Sequence, residues 1–206
     1  MNFSSRRSNV IAKNGAVATS QPLAAQAGLE ILKKGGNAVD AAVATAAVLN
    51  VVEPMSTGIG GDIFALVRNS KNKIIKSMNG SGRSGSYANS NFLKQKGYDF
   101  IPKSGIEGIY SVSVPGTVHG WETLLNDEGN MNLKDVLEPA IKYAFEGFGV
   151  SEKIANSWKD SMNKISVNGF NEFLPLGKAP KAGSLLKLHE LGETLTKISE
   201  KGSKEF

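Results

Sequence analysis

Asn37–Asp62 reads NAVDAAVATAAVLNVVEPMSTGIGGD, and the fold follows from how this stretch is parsed. From Ala38 to Leu49 nearly every residue is apolar and alanine is the commonest. Alanine is the best helix former, so a helix is predicted here. A helix apolar on all faces has to be covered on all faces, which places it at the centre of a core. A membrane span is disfavoured, because the run is shorter than the roughly 20 residues a span requires and Asp40 interrupts it. Asn37 is placed to cap the helix, and Asp40 three residues on completes a capping-box pattern. Pro54 ends the helix near Val52, since a residue before proline is pushed out of the α region. Gly58, Gly60 and Gly61 then allow a tight turn into a strand. In that strand Ile63, Ala65 and Val67 share one face while Phe64 and Leu66 share the other. Both faces are apolar, so the strand is expected to be covered on both sides.

Working outward, Gly15–Ser20 (GAVATS) is a short strand candidate. Ser20 is placed to cap the next helix, and Pro22 suits its first turn. Gln21–Lys34 is amphipathic, with Leu23, Ala24, Ala27 and Ile31 inward, and Glu30 one turn from Lys34. Gly35 and Gly36 end it, and so short a connection makes the two helices neighbours. Downstream, a polar turn at Asn69–Lys73 joins the central strand to a second one containing Ile74, Ile75 and Met78, a β-hairpin. It exits into NGSGRSGS, residues 79–86. Asn89–Lys96 is a short helix, 97–110 is irregular, and Ser111–Val114 is a brief strand. Thr117–Leu125 is helical with Val118, Trp121, Leu124 and Leu125 inward. Asn132 caps a helix that Pro139 should kink or restart. Ser151 caps another, through about Asn163. Leu185–Ile198 has helical spacing, with Leu188, Leu191, Leu195 and Ile198 on one face. That face needs a cover, which suggests a longer protein. Helices packed on a largely antiparallel sheet make the fold class α+β.

Composition narrows the function. The chain has 206 residues, enough for one domain, and 40% hydrophobic content. With no cysteine there is no disulfide, no thiol nucleophile and no cysteine-based zinc site. Two histidines, His119 and His189, are too few for most histidine metal sites, and no cofactor is implied. The net charge is +5, but the lysines are scattered and lack interleaved aromatics, which argues against a nucleic-acid partner. The first residues carry no apolar leader core, so a cytoplasmic location is expected. Residues 1–9 read as a polar arm in which Arg6 and Arg7 could meet carboxylates or phosphates.

Candidate chemistry is sparse. GIGGD at 58–62 runs from helix into strand, the reverse of the usual phosphate loop, and no GK[ST] follows. It reads as a structural turn or as the border of a site. Arg83, in GSGRSG, is flanked only by small residues, and its planar fork suits a carboxylate. The bland alternative is an exposed loop arginine. No Gly-x-Ser-x-Gly elbow is present. His119 and His189 have no serine–acid setting and read as helix-surface residues. Asp40 and Asp62 could act as acid or base, but a cap and a turn are the better readings.

The blocks GAVATSQPLAAQAGLEILKKGGNAVDAAVATAAVLNVVEPMSTGIGGD, SVPGTVHGWE and LEPAIKYAFEGFGV, in that order, resemble the γ-glutamyltranspeptidase family over about residues 10–206. NGSGR and the lack of a leader make the chain look most similar to the cytoplasmic γ-glutamyltranspeptidase-like branch. The resemblance implies a four-layer αββα sandwich of the N-terminal nucleophile hydrolase type. It implies a precursor that cuts itself into large and small subunits. It also implies cleavage of γ-glutamyl amides such as glutathione through a threonine freed at the start of the small subunit. That threonine's own α-amino group can serve as base, so no histidine is required.

By the same resemblance, residues 1–206 correspond to the N-terminal portion of the large subunit. No catalytic residue is expected in this chain, and Thr57 does not match the nucleophile motif. The partners implied are the rest of the large subunit, the small subunit and a γ-glutamyl small molecule, and the chain alone is expected to be inactive. In the family an arginine after the second hairpin strand binds the glutamyl α-carboxylate, within an arginine–glutamate–x–alanine–proline setting. Arg83 lies in that region but without the glutamate or proline, and a strict count puts the arginine's place at Ser81. Two alternatives therefore stay open: a related acylase for non-glutamyl amides, and a non-catalytic binding or structural fragment.

Overall fold

The computed structural model describes residues 8–102, 106–162 and 172–206. Arg6 and Arg7 lie outside the described residues. Helix α1 (Pro22–Lys33) and helix α2 (Ala38–Val52) lead into the hairpin β1 (Ile63–Arg68) and β2 (Ile75–Gly80). There follow α3 (Ser90–Gln95), a 3-10 turn (Ile106–Ser111), α4 (Thr117–Glu128), α5 (Leu133–Glu146) and the two-residue strand β3 (Phe148–Gly149). Then come α6 (Glu152–Ser161), β4 (Leu185–Leu186) and α7 (His189–Lys201). The helices line up with α1 on α2, α2 on α5 and α5 on α7, and α4 lies between α2 and β2. No described helix is long and apolar enough to cross a membrane.

The central helix forms as its sequence dictates. Asn37 Oδ1 accepts from the amides of Val39 (2.8 Å) and Asp40 (3.2 Å), while Asp40 Oδ2 accepts from the Asn37 amide (2.7 Å). Asp40 does more than cap. Fully buried, it also accepts from the Asn130 amide (3.1 Å) and the Met131 amide (3.2 Å), which ties the start of α2 to the α4–α5 loop. Small residues let α1 come close. A Cβ on Gly28 would lie 2.3 Å from Thr45 Oγ1, and the Thr45 hydroxyl is turned back onto the Ala41 carbonyl (2.7 Å). Glu30 pairs with Lys34 at 2.9 Å as the spacing predicts.

Several local expectations are corrected. Gln21, not Ser20, caps α1: its side chain accepts from Leu23 and Ala24, while the Ser20 hydroxyl donates to Glu53. Residues 15–19 form no strand and pair with none among the described residues. Ser111–Val114 is not a strand; one isolated bridge, Ser84 to Ser113, stands in its place. Pro139 does not restart α5, which runs through it. Its missing N–H leaves the Asp135 carbonyl without its usual partner in the helix. Leu185 and Leu186 are not helical; they pair antiparallel with Phe148 and Gly149. The apolar face of α7 is covered by α5, so that face calls for no outside partner.

The hairpin departs most from expectation. It pairs antiparallel from Ile63–Gly80 to Arg68–Ile75. Ile63, Ala65 and Val67 rest against the core. Phe64 is 69% exposed and Leu66 78%, so one face of the strand is bare instead of covered. Alternation reveals two apolar faces, but it does not reveal whether the cover for both lies in the same 206 residues.

Candidate functional site

Three segments meet at the end of the hairpin where Ile63 pairs with Gly80: the turn 58–62, the loop 79–85 and the stretch 113–117. The turn closes through the Gly61 amide donating to the Gly58 carbonyl (3.1 Å). The Gly61 carbonyl accepts from the amides of Gly116 (2.9 Å) and Thr117 (3.0 Å), which docks the N-terminus of α4 on the turn. The loop is laid directly on the third segment. A Cβ on Gly82 would fall 1.5 Å from the Val114 carbonyl oxygen, and one on Gly116 would fall 2.0 Å from that of Gly80. Only glycine permits backbones this close. Around Gly58 and Gly60 there is open space instead.

Asp62 joins all three segments. Its Oδ1 accepts from the Gly82 amide (3.1 Å) and from the Ser113 hydroxyl (2.9 Å). The Gly82 amide first, and then the Ser113 hydroxyl, hold the Asp62 carboxyl below the usual carboxylate range. It is therefore an ionised acceptor at neutral pH, poorly suited to deliver a proton. Local pattern assigns Asp62 a short-range role in a turn; in the structure its partners lie 20 and 51 residues away. Ser113 carries no sequence signal of its own, because its part depends on the loop that lands beside it.

Arg83 follows Gly82 at once. Its carbonyl accepts from the Val114 amide (2.8 Å), while its side chain is exposed. No carboxylate among the described residues pairs with it. Ser81, the position reached by strict counting, is also exposed, and its amide donates to Asn79 Oδ1 (3.0 Å). His119 is exposed on α4, and His189 is exposed at the start of α7, 5.9 Å from the Phe145 ring. Thr57 hydroxyl faces the Glu53 carbonyl at the end of α2. Among the described residues no three His, Asp or Glu side chains gather where they could hold a metal ion.

Beside the junction runs a second feature. Ala38, Ala42 and Ala46 line a cavity of about 420 Å³ shared with β1, and the same three alanines line a second, of about 660 Å³, shared with residues 14–19. This trough is floored by the smallest side chains of α2. It is flanked by β1 and by residues 14–19, each lacking a strand partner on at least one edge among the described residues.

The Gamma-glutamyltranspeptidase family profile matches residues 24–206. The glutathione hydrolase-like YwrD proenzyme of Bacillus subtilis is 40% identical over 96% of this chain and 37% of its own length. The crystal structure of a cephalosporin acylase from Bacillus halodurans superposes with a TM-score of 0.89 at 42% identity, over 100% of this chain and 39% of that one. The γ-glutamyltranspeptidase of Helicobacter pylori superposes with a TM-score of 0.86 at 30% identity, covering 97% of this chain and 58% of that one. The chain thus spans little more than a third of the length of the Bacillus subtilis relative. A profile match across most of the sequence, with superposition on a γ-glutamyltranspeptidase along nearly all of it, establishes that this α+β chain belongs to the γ-glutamyltranspeptidase family of N-terminal nucleophile hydrolases.

Proposed function

We propose that these 206 residues are the N-terminal portion of the large subunit of a γ-glutamyltranspeptidase-like hydrolase or transferase. In this reading the chain supplies the helical layer, one hairpin of the sandwich and a carboxylate anchor, Arg83. The nucleophilic threonine lies in the small subunit, outside these residues. The observation that carries the reading is Arg83 itself: a cation without a carboxylate partner, on a loop fastened to the core through its backbone. A guanidinium left free in this way offers both of its donors to a substrate α-carboxylate. The trough over α2 and the bare Phe64–Leu66 face support a partner role for the rest of the polypeptide. Strands from that part would take the open edges beside β1 and residues 14–19, and a second sheet would cover the hairpin.

A second reading has its own support. The setting of Arg83 lacks the glutamate and proline of the family's carboxylate motif, and the chain is 42% identical to a cephalosporin acylase. This favours an acylase acting on amides without a glutamyl group.

One experiment separates the readings. The 206 residues are joined to the segment of the Bacillus subtilis relative that lies beyond the match, and self-cleavage is followed on a gel. Release is then assayed from a γ-glutamyl anilide and from a simple acyl anilide. The first reading expects preference for the glutamyl compound, and Arg83→Ala raising its KM about 10- to 100-fold, the span of a lost charge-assisted pair. Indifference to Arg83→Ala, with the simple amide cleaved well, replaces it with the acylase. A completed chain that neither cuts itself nor releases either compound leaves a non-catalytic fragment.

A further inference from the structure

We infer that Asp62 is the positioning residue of the Arg83 loop: one of its carboxylate oxygens clamps the loop to the segment at Ser113 and Val114, and so fixes where the guanidinium stands. The inference rests on the carboxylate-anchor reading for its consequence in catalysis, but not for the clamp itself.

The geometry is specific. Arg83 and Ser84 face Ser113 and Val114, through the Val114 amide on the Arg83 carbonyl (2.8 Å) and the bridge between Ser84 and Ser113. Asp62 Oδ1 takes one donor from each side of that pair: the amide of Gly82, next to Arg83, and the hydroxyl of Ser113, next to Val114. Both bonds end on an ionised oxygen and are of the stronger, charge-assisted kind. Asp62 is itself held in place, lying between the closed turn at Gly58–Gly61 and the first residue of β1. No carboxylate among the described residues holds the Arg83 side chain, so these backbone fastenings set the origin of its reach. Productive contact with a carboxylate tolerates little displacement, and a loop loosened by an ångström would weaken binding without touching the bond being broken.

The test uses the completed enzyme and three variants. Asp62→Ala removes the acceptor. Asp62→Asn keeps an oxygen in its place. Ser113→Ala removes one donor. Asp62→Ala is expected to raise the KM for the γ-glutamyl anilide roughly tenfold, with kcat within about twofold and the simple acyl anilide unaffected. Asp62→Asn should recover most of the loss, and Ser113→Ala should fall between. Hydrogen exchange at the Gly82 and Val114 amides should accelerate in Asp62→Ala and not in Asp62→Asn. Unchanged exchange at both amides in Asp62→Ala overturns the clamp. An equal loss on both anilides also overturns it as a positioning device, since general damage would act on either substrate. If Arg83→Ala has no effect while exchange still accelerates in Asp62→Ala, the clamp stands and the carboxylate reading falls.

Discussion

The helical side and the hairpin side of this molecule are built on opposite terms. Around α2 the partners are present. Val43, Ala44, Ala47, Val48, Val51 and Val52 are buried, and the one carboxylate among them, Asp40, is bonded to the main-chain amides of Asn37 and, 90 residues away, of Asn130. On the outer face of β1 they are absent among the described residues. Phe64 and Leu66 stand in solvent, and the alanine face that β1 overhangs lines open cavities. In the reading proposed above, where this chain is part of a larger fold, the difference shows where such a part carries its stability and where it carries its function. The helical layer closes on itself, while the hairpin keeps the surfaces that would be shared, with Arg83 at its open end.

The largest expected effect is on the closed side. Asp40→Ala should leave the amides of Asn37, Asn130 and Met131 without their acceptor in a dry setting. Each such bond to a charged group is worth about 1.5–3 kcal/mol, so a loss of about 4 kcal/mol is expected. Urea unfolding followed by the fluorescence of the buried Trp121 and Trp158 would measure it. A loss below about 1 kcal/mol would mean that the closed side does not depend on this carboxylate, and the contrast would fail.

That closed side is also the part the sequence discloses. Helix α2 and its capping box are set by residues within one or two turns of each other, which local pattern captures, and its packing against α1 follows from the short connection between them. Strands β3 and β4 were missed because two residues apiece, 36 positions apart, leave no period to read. The unbroken run through Pro139 is set by the packing of α5, whose buried face includes Pro139 itself, and local pattern does not report that packing. The alternation of β1 announced two apolar faces correctly; which of them this chain covers is a tertiary fact. The loop proposed to carry the anchor is visible in the sequence as Arg83 among small residues. The clamp under it was not, because Asp62 and Ser113 become partners only when residues 51 apart are brought together.

A smaller effect sharpens the contrast from the open side. Phe64→Ser and Leu66→Ser should change the stability of the 206-residue chain by no more than about 0.5 kcal/mol each, as exposed sites do. In the completed enzyme, with a second sheet over the hairpin, each should cost about 2–4 kcal/mol, the range for large apolar side chains lost from a core. Denaturant midpoints of the two forms, taken side by side, decide this. Equal and small effects in both would show that the face stays bare and that the hairpin is not an inner strand of a sandwich.

The smallest effect concerns charge on the outer surface of the closed side. Lys34 bridges Glu138 of α5 and Glu30 of α1, each at 2.9 Å. The bond from Lys34 holds the Glu138 carboxyl below its ordinary 4.5, and the bond to Glu138, then that to Glu30, raises Lys34 above 10.5. The signs set the window. The glutamate's share of stability is present above 4.5 and is lost as pH falls through its lower folded value; the lysine's share is present below 10.5 and is lost as pH rises through its raised one. Both side chains are well exposed, so solvent screening limits the coupling to about 0.5 kcal/mol. A double-mutant cycle with Lys34→Met and Glu138→Gln should find that value at neutral pH, and find it gone in 1 M salt, where the Debye length is about 3 Å. A coupling above about 2 kcal/mol would place part of the closed side's stability in its surface charges, and the account of a layer held by buried alanine, valine and Asp40 would have to be rebuilt around them.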